Sequence, residues 1–389
     1  MDKVRLIRIT TIPVSLRILL RGQLRYMNQY FEVVGISSSG EYLAELQKDE
    51  GIRTLAVNLT RNISPLRDLL ALIKLIKIFH YEKPLIVHTH TPKAGTLGMI
   101  AAWLCKVPVR MHTVAGLPLL EVRGLKRKLL NVVEIITYRC ATKVYPNSFG
   151  LLAHILHNRF ADANKLKVIG NGSSNGIDAK YFSLEQINRT EVLRIRDTYS
   201  INHRDFVFIF IGRLVKDKGI NELISAFVML NKIHKNSKLM LVGLFEQELD
   251  PLNESIINTI KSHPNIIFAR FQKDVRPFLA ASHVLVFPSY REGMPNVPMQ
   301  ACAMKLPCIV SNINGCNEII VHEYNGLIVP AKSILDLHNA MEKIIVDRDL
   351  YHILASNARE SVLSRYDQSL VWRGIKEEYD NQINLAGYS

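Results

Sequence analysis

The chain has 389 residues, of which 48% are hydrophobic and 22% charged, and its formal net charge is +14. That length suits about two ordinary domains, each able to bury a core, and the composition is that of a soluble globular protein. No apolar run reaches the roughly 18–20 residues that span a bilayer. The five cysteines are scattered without a CxxC pair, so free thiols in a reducing compartment are expected rather than a disulfide framework.

Taken in order, the N-terminal stretch MDKVRLIRITTIPV reads as an early strand, not as a signal peptide. Candidate strands at 4–10, 31–37, 54–59, 85–90, 109–114 and 144–147 alternate with helical patterns near 16–30, 65–80, 95–105, 125–140 and 150–158. This alternation predicts an α/β fold with a doubly wound parallel sheet. His88-Thr89-His90 precedes a strand-to-helix turn fixed by Pro92 and Gly95. Two histidines at i, i+2 suggest a metal, but no third ligand has usable spacing. His112 is read as ending its strand and facing a cleft. Lys93, at the mouth of the next helix, is placed either for an acceptor phosphate or as a solvated loop lysine.

The turn-rich run 171–176 and the polar helical segment 184–199 mark a domain boundary. The assignment is 1–185 for a first domain and 186–368 for a second, with a last helix within 369–389. The second half repeats the alternation, with strands at 206–211, 239–242, 266–270, 283–287, 308–311 and 326–329. Two Rossmann-like halves facing a cleft are the economical reading.

Two stretches carry chemistry. In 287–301, FPSYREGMPNVPMQA, a strand ends and a helix begins, with Asn296 as a good N-cap type and Pro298 in the first turn. Such a helix start aims free N–H groups and a positive dipole end at an anion. Glu292 can accept from sugar hydroxyls, and Gly293 allows close approach. In 212–219, GRLVKDKG, Arg213 and Lys218 can both reach one diphosphate, or else form an ordinary basic turn.

The spacing Glu292, Gly293, Pro295, Asn296 resembles the donor-site signature of retaining glycosyltransferase family 4, which has the two-domain GT-B fold. The resemblance covers nearly the whole chain and implies a first domain that binds the acceptor, a second that binds the donor, a last helix that crosses back to the first domain, and no metal or cofactor. It implies that Arg213 and Lys218 hold the nucleotide diphosphate, together with the helix start at Asn296 and Val297. Glu292, Gly293 and Met294 would hold the donor sugar, with Glu292 and His112 counted as catalytic. The signature's second Glu is here Gln300, in the place that grips the ribose. That exchange predicts weakened donor binding. By the same resemblance, 271–275 lies where the base is held, Glu318 is structural, and Ser15, His90 and Lys93 are candidate acceptor or phosphate contacts. The first turn, 11–15, lacks the family's Gly-Gly.

The activity so implied is transfer of a hexose-type sugar from a nucleotide diphosphate, with a UDP-sugar preferred, to a lipid-linked or glycan acceptor in bacterial surface polysaccharide assembly. A nucleotide-sugar epimerase of the same fold and a non-catalytic sugar-nucleotide-binding subunit are the rivals. Residues 1–185 hold 26 Lys and Arg against 13 Asp and Glu, a net of +13, leaving +1 for the remainder. The first half therefore faces an anion. Interleaved aromatics are missing, so nucleic acid is not expected. Arg67, Lys74 and Lys77 on one helix, with 125–128 opening another, either rest on anionic lipid or form a solvated basic face. The expected location is cytoplasmic, peripheral on the inner face of the plasma membrane.

Overall fold

The structure, a computed structural model, describes residues 3–60, 64–117, 124–246, 248 and 250–388. It divides into two units, one of residues 1–176 with 368–389, the other of 177–367. Each is an α/β unit around one six-stranded parallel sheet.

In the first unit the strands are β1 (Arg5–Ile9), β2 (Glu32–Ser37), β3 (Arg53–Ala56), β4 (Ile86–Thr89), β5 (Val109–Val114) and β6 (Lys143–Pro146). Their order is β3-β2-β1-β4-β5-β6, all parallel. Both faces are covered, so the inner strands are apolar nearly throughout. Ile7 and Ile9 pack with the helices Pro65–Glu82, Pro92–Leu104, Gly124–Cys140 and Phe149–His157. Leu6 packs on the other side with Pro13–Leu19, Gln23–Met27, Glu41–Glu50 and Gln368–Leu385. The helical pattern near 16–30 is two helices, because Gly22 breaks it at φ 77°. A Cβ there would lie 2.7 Å from the Trp372 ring.

The second unit holds β7 (Phe206–Ile211), β8 (Ser237–Val242), β9 (Ile266–Arg270), β10 (Val284–Phe287), β11 (Cys308–Ser311) and β12 (Gly326–Val329). The order is β12-β11-β10-β7-β8-β9, again parallel. β7 and β10 are fully buried runs, FVFIFI and VLVF, as central parallel strands require.

The chain enters the second unit at Ile177, ahead of the expected 185/186 boundary. Segment 177–182 already belongs to that unit's packing. Ile177 N donates to Tyr366 O at 2.8 Å, and Arg359 donates to the carbonyls of Ala179 and Phe182 at 2.8 and 2.7 Å. The helix Gln368–Leu385 is part of the first unit. Tyr379 and Glu378 are buried there, against His88 and Tyr145.

Candidate active site

In the second unit the strand order reverses between β7 and β10, with β8 and β9 to one side and β11 and β12 to the other. Open parallel sheets bind ligands outside the carboxyl ends of strands at such a point. Three loops leave those ends there: 212–219 after β7, 288–295 after β10 and 312–315 after β11.

The loops are keyed together by backbone. Gly219 has φ 70°, and a Cβ on it would lie 2.1 Å from Pro288 O. Gly315 has φ 76°, and its Cβ would lie 2.0 Å from Gly293 O. Only glycine fits either place. Tyr290 N donates to Asp217 O at 2.8 Å, and Asn314 Nδ2 donates to the carbonyls of Glu292 and Gly293 at 2.8 and 2.9 Å.

The keying brings Lys218 and Glu292 into contact, although 74 residues separate them. Lys218 Nζ donates to Glu292 Oε1, and both side chains are only 16% exposed. Ser289 Oγ lies 2.9 Å from the same oxygen. Lys218 also stands 5.8 Å from the centre of the Phe287 ring. Behind them, burial and then the Glu292 charge push the Cys316 thiol well above its ordinary range. Asp217 forms a second ion pair, with Arg291 at 3.0 Å.

The helix Asn296–Ala303 starts beside this pair. Its N-cap residue is Pro295, so Asn296 is the first helical residue and not the cap expected from the sequence. Pro295 already holds the extended conformation a cap needs. The amides of Asn296 and Val297 belong to the first turn and have no partner within the helix. Gly293 and Met294 are buried, while Asn296, Val297 and Gln300 are half-buried. Arg213 is exposed and pairs with Glu246 at 2.9 Å. Phe271 is exposed, after Arg270 at φ 56°. The Glu318 carbonyl accepts from Arg365 Nη1 at 2.7 Å and from the Tyr366 hydroxyl at 3.2 Å.

In the first unit, Arg8 of β1 is fully buried, and among the described residues its hydrogen bonds go to neutral side chains. Its Nε donates to His90 Nε2 at 3.0 Å and its Nη2 to Gln23 Oε1 at 2.5 Å. Gln23 Nε2 in turn donates to Asn175 Oδ1 at 3.0 Å. Arginine only donates, so His90 Nε2 must accept, and the neutral ring carries its proton on Nδ1. His88 lies 2.6 Å from the Tyr379 hydroxyl and 2.7 Å from Thr113 Oγ1. Burial pushes both histidines well below their ordinary range, with the Arg8 charge adding to it. Arg8 Nη1, His90 Nδ1 and Asn147 Oδ1 have no hydrogen-bond partner among the described residues. His90 and Asn147 share a cavity of about 10 Å³ with Ser174 and Tyr145, room for about one water.

Two expectations change here. His112 does not end its strand, since β5 runs on to Val114. Its ring lies on the opposite side of the sheet from His88, under the helix Pro92–Leu104. A Cβ on Gly95 would come within 2.4 Å of that ring, and Nδ1 is 2.8 Å from Thr89 Oγ1. Burial holds its pKa down at about 4. Lys93 is not a solvated loop lysine, because its Nζ pairs with both Asp68 oxygens at 2.7 and 2.8 Å. Ser15 is half-buried in the helix Pro13–Leu19. Arg8, Gln23, Ser289 and Asn314 are not among the site residues expected from the sequence. For Arg8 a signal exists, a cation inside the apolar strand RLIRI. Nothing local marks the other three.

Residues 192–361 match the family model of the glycosyl transferases group 1, and residues 25–172 that of the glycosyl transferase 4-like domain. The chain is 33% identical over 381 residues to the capsular polysaccharide biosynthesis glycosyltransferase CapM of Staphylococcus aureus, covering 98% of each. It is 30% identical over 351 residues to the UDP-Gal:alpha-D-GlcNAc-diphosphoundecaprenol alpha-1,3-galactosyltransferase of Escherichia coli, covering 86% of this chain and 85% of the relative. Among solved structures, Anabaena HepE in complex with UDP and glucose superposes with a TM-score of 0.81 at 19% identity, covering 97% of this chain and 100% of that one. That likeness is one of fold.

Proposed function

Since the chain belongs to the group 1 glycosyltransferases, with a family 4-like domain in its first half, we propose that it moves a hexose-type sugar from a UDP-sugar to a lipid-linked sugar acceptor, with retention at the anomeric carbon, in assembly of a bacterial surface polysaccharide. The observation that carries this reading is the Lys218–Glu292 contact at the strand-order reversal, beside the start of the helix Asn296–Ala303. The relatives support the donor and acceptor classes: one is named for UDP-Gal and a diphosphoundecaprenol acceptor.

In this reading Glu292 accepts hydrogen bonds from donor hydroxyls, and Gly293 and Met294 line the sugar. Lys218, Arg213 and the amides of Asn296 and Val297 face the diphosphate, where negative charge grows as the bond from the anomeric carbon to the phosphate oxygen breaks. The acceptor hydroxyl forms its new bond on the same face, and its proton passes to the departing phosphate oxygen. No resident metal takes part in the reading. Gln300 meets the ribose with neutral hydrogen bonds.

The test is thermal stabilisation, with slow donor hydrolysis, across UDP-, GDP-, ADP- and TDP-sugars. A ligand at a hundred times its dissociation constant adds about 2.7 kcal/mol. A shift with UDP-sugars that Arg213→Ala abolishes is the expected result. No shift with any nucleotide overturns the reading.

A further inference from the structure

The loop after β11 grips the loop 288–295 through one side chain. Asn314 Nδ2 donates to Glu292 O at 2.8 Å and to Gly293 O at 2.9 Å. Carbonyl oxygens only accept, so the side-chain amide must present its NH2 end, and its two N–H groups match the two carbonyls. Asn314 is half-buried. Gly315 beside it lies so close to Gly293 O that a Cβ would come within 2.0 Å, which seats the grip firmly.

That grip decides where the next two backbone amides point. A trans peptide is planar, and its C=O and N–H point in opposite directions. Turning the Glu292 carbonyl toward Asn314 therefore turns the Gly293 N–H away from it. Turning the Gly293 carbonyl does the same to the Met294 N–H. Both residues are buried, yet neither amide has a hydrogen-bond partner among the described residues. Buried N–H groups are rarely left so, because each forfeits the hydrogen bond it makes to water in the unfolded chain. A ligand that accepts from both restores those bonds.

Glu292 complements the pair. Lys218 and Ser289 both meet its Oε1, and Oε2 has no hydrogen-bond partner among the described residues. Three consecutive residues thus offer what a sugar hydroxyl needs: a carboxylate oxygen for its proton and N–H groups for its lone pairs.

We propose that Asn314 is a positioning residue for the donor sugar. It holds the two carbonyls from behind and so aims the amides of Gly293 and Met294 at a sugar hydroxyl. The proposal rests on the reading of 292–294 as the residues that face the donor sugar. The ligand it selects is a nucleotide sugar with a free hydroxyl at the contacted carbon. The nucleotide alone does not use the grip, so the two parts of the donor respond differently when it is lost.

The experiment is calorimetric titration of the full chain with UDP, UDP-glucose, UDP-galactose and UDP-N-acetylglucosamine. Wild type, Asn314→Ala and Asn314→Asp are compared. Asn314→Ala removes two hydrogen bonds. Affinity for the UDP-sugar that wild type binds tightest should fall about tenfold, while UDP affinity stays within about twofold. Asn314→Asp keeps the size and sets a carboxylate against two carbonyl oxygens. It should lose more of the sugar nucleotide and again spare UDP. Retained UDP affinity also shows that a variant is folded. Equal losses for UDP and the UDP-sugar in both variants would mean that Asn314 only shapes the loop, and would overturn the inference. So would unchanged affinity for both ligands. Either result leaves the transferase reading standing. A wild-type chain that binds none of the three UDP-sugars instead sinks the donor reading, and the inference with it.

Discussion

The two units share a sheet topology but handle a cation at the strand-order reversal in opposite ways. In the second unit Lys218 meets a carboxylate, Glu292, at a site that is still partly open. In the first, Arg8 is fully buried and, among the described residues, meets neutral groups, His90, Gln23 and the face of Tyr379. A carboxylate sets a strong, exchangeable partner for a charge, and a ligand phosphate can take its place. A ring of neutral acceptors holds a charge without cancelling it, and every missing partner is costly in a low-dielectric interior. The first arrangement suits a site that turns over. The second suits a fixed frame, and it fixes the histidine tautomers as it does so.

Glu292→Gln should give the largest effect. It keeps the shape and removes the charge, so sugar transfer should fall by about 10²–10³ in kcat/KM with little change in melting temperature. A variant of near wild-type activity would break the contrast between the units. Acid should act next, and on both units. Burial holds His112 and His283 at about 4, against 6.5 in the unfolded chain. The unfolded chain therefore takes up protons first as pH falls. Stability that is full above 6.5 should be lost progressively between about 6.5 and about 4, as urea unfolding across pH would read. His283 accepts from Val207 N at 2.9 Å and stacks on Phe206, so the loss should not be confined to the first unit.

A smaller effect is expected at Gln23→Ala. It strips Arg8 Nη2 of its acceptor and should cost about 1–3 kcal/mol in chemical denaturation while leaving nucleotide affinity alone. A loss of nucleotide affinity instead would mean the frame is coupled to nucleotide binding. The smallest is Gln300→Glu, where, in the proposed function, a neutral bond to ribose becomes charge-assisted. Donor binding should tighten by about 1 kcal/mol, roughly fivefold. Unchanged affinity in a donor titration would remove Gln300 from the ribose site.

Much of the second unit was legible because its chemistry is local. A parallel strand, a glycine turn and a helix start lie within fifteen consecutive residues at 287–301, and turn chemistry is written in short segments. The cap shifted by one residue, from Asn296 to Pro295, because either residue type can open a helix and only the backbone chooses. The first unit was less legible. The histidines at 88, 90 and 112 look alike in sequence, all on or beside strands. The side of the sheet each takes, and the helix that covers it, separate them.

The sequence by itself determined the alternation of strands and helices, the concentration of positive charge in the first half, and the residue types of the segments 212–219 and 287–301. These depend on periodicity, composition and short-range turn preference, which neighbouring residues fix among themselves. Only the tertiary structure decided that Lys218 meets Glu292, that Lys93 meets Asp68, and that a helix from the far end of the chain puts Tyr379 over Arg8 and His88. Those contacts join residues 25 to 371 positions apart, and the packing of whole layers, with their need to satisfy every buried polar group, sets them.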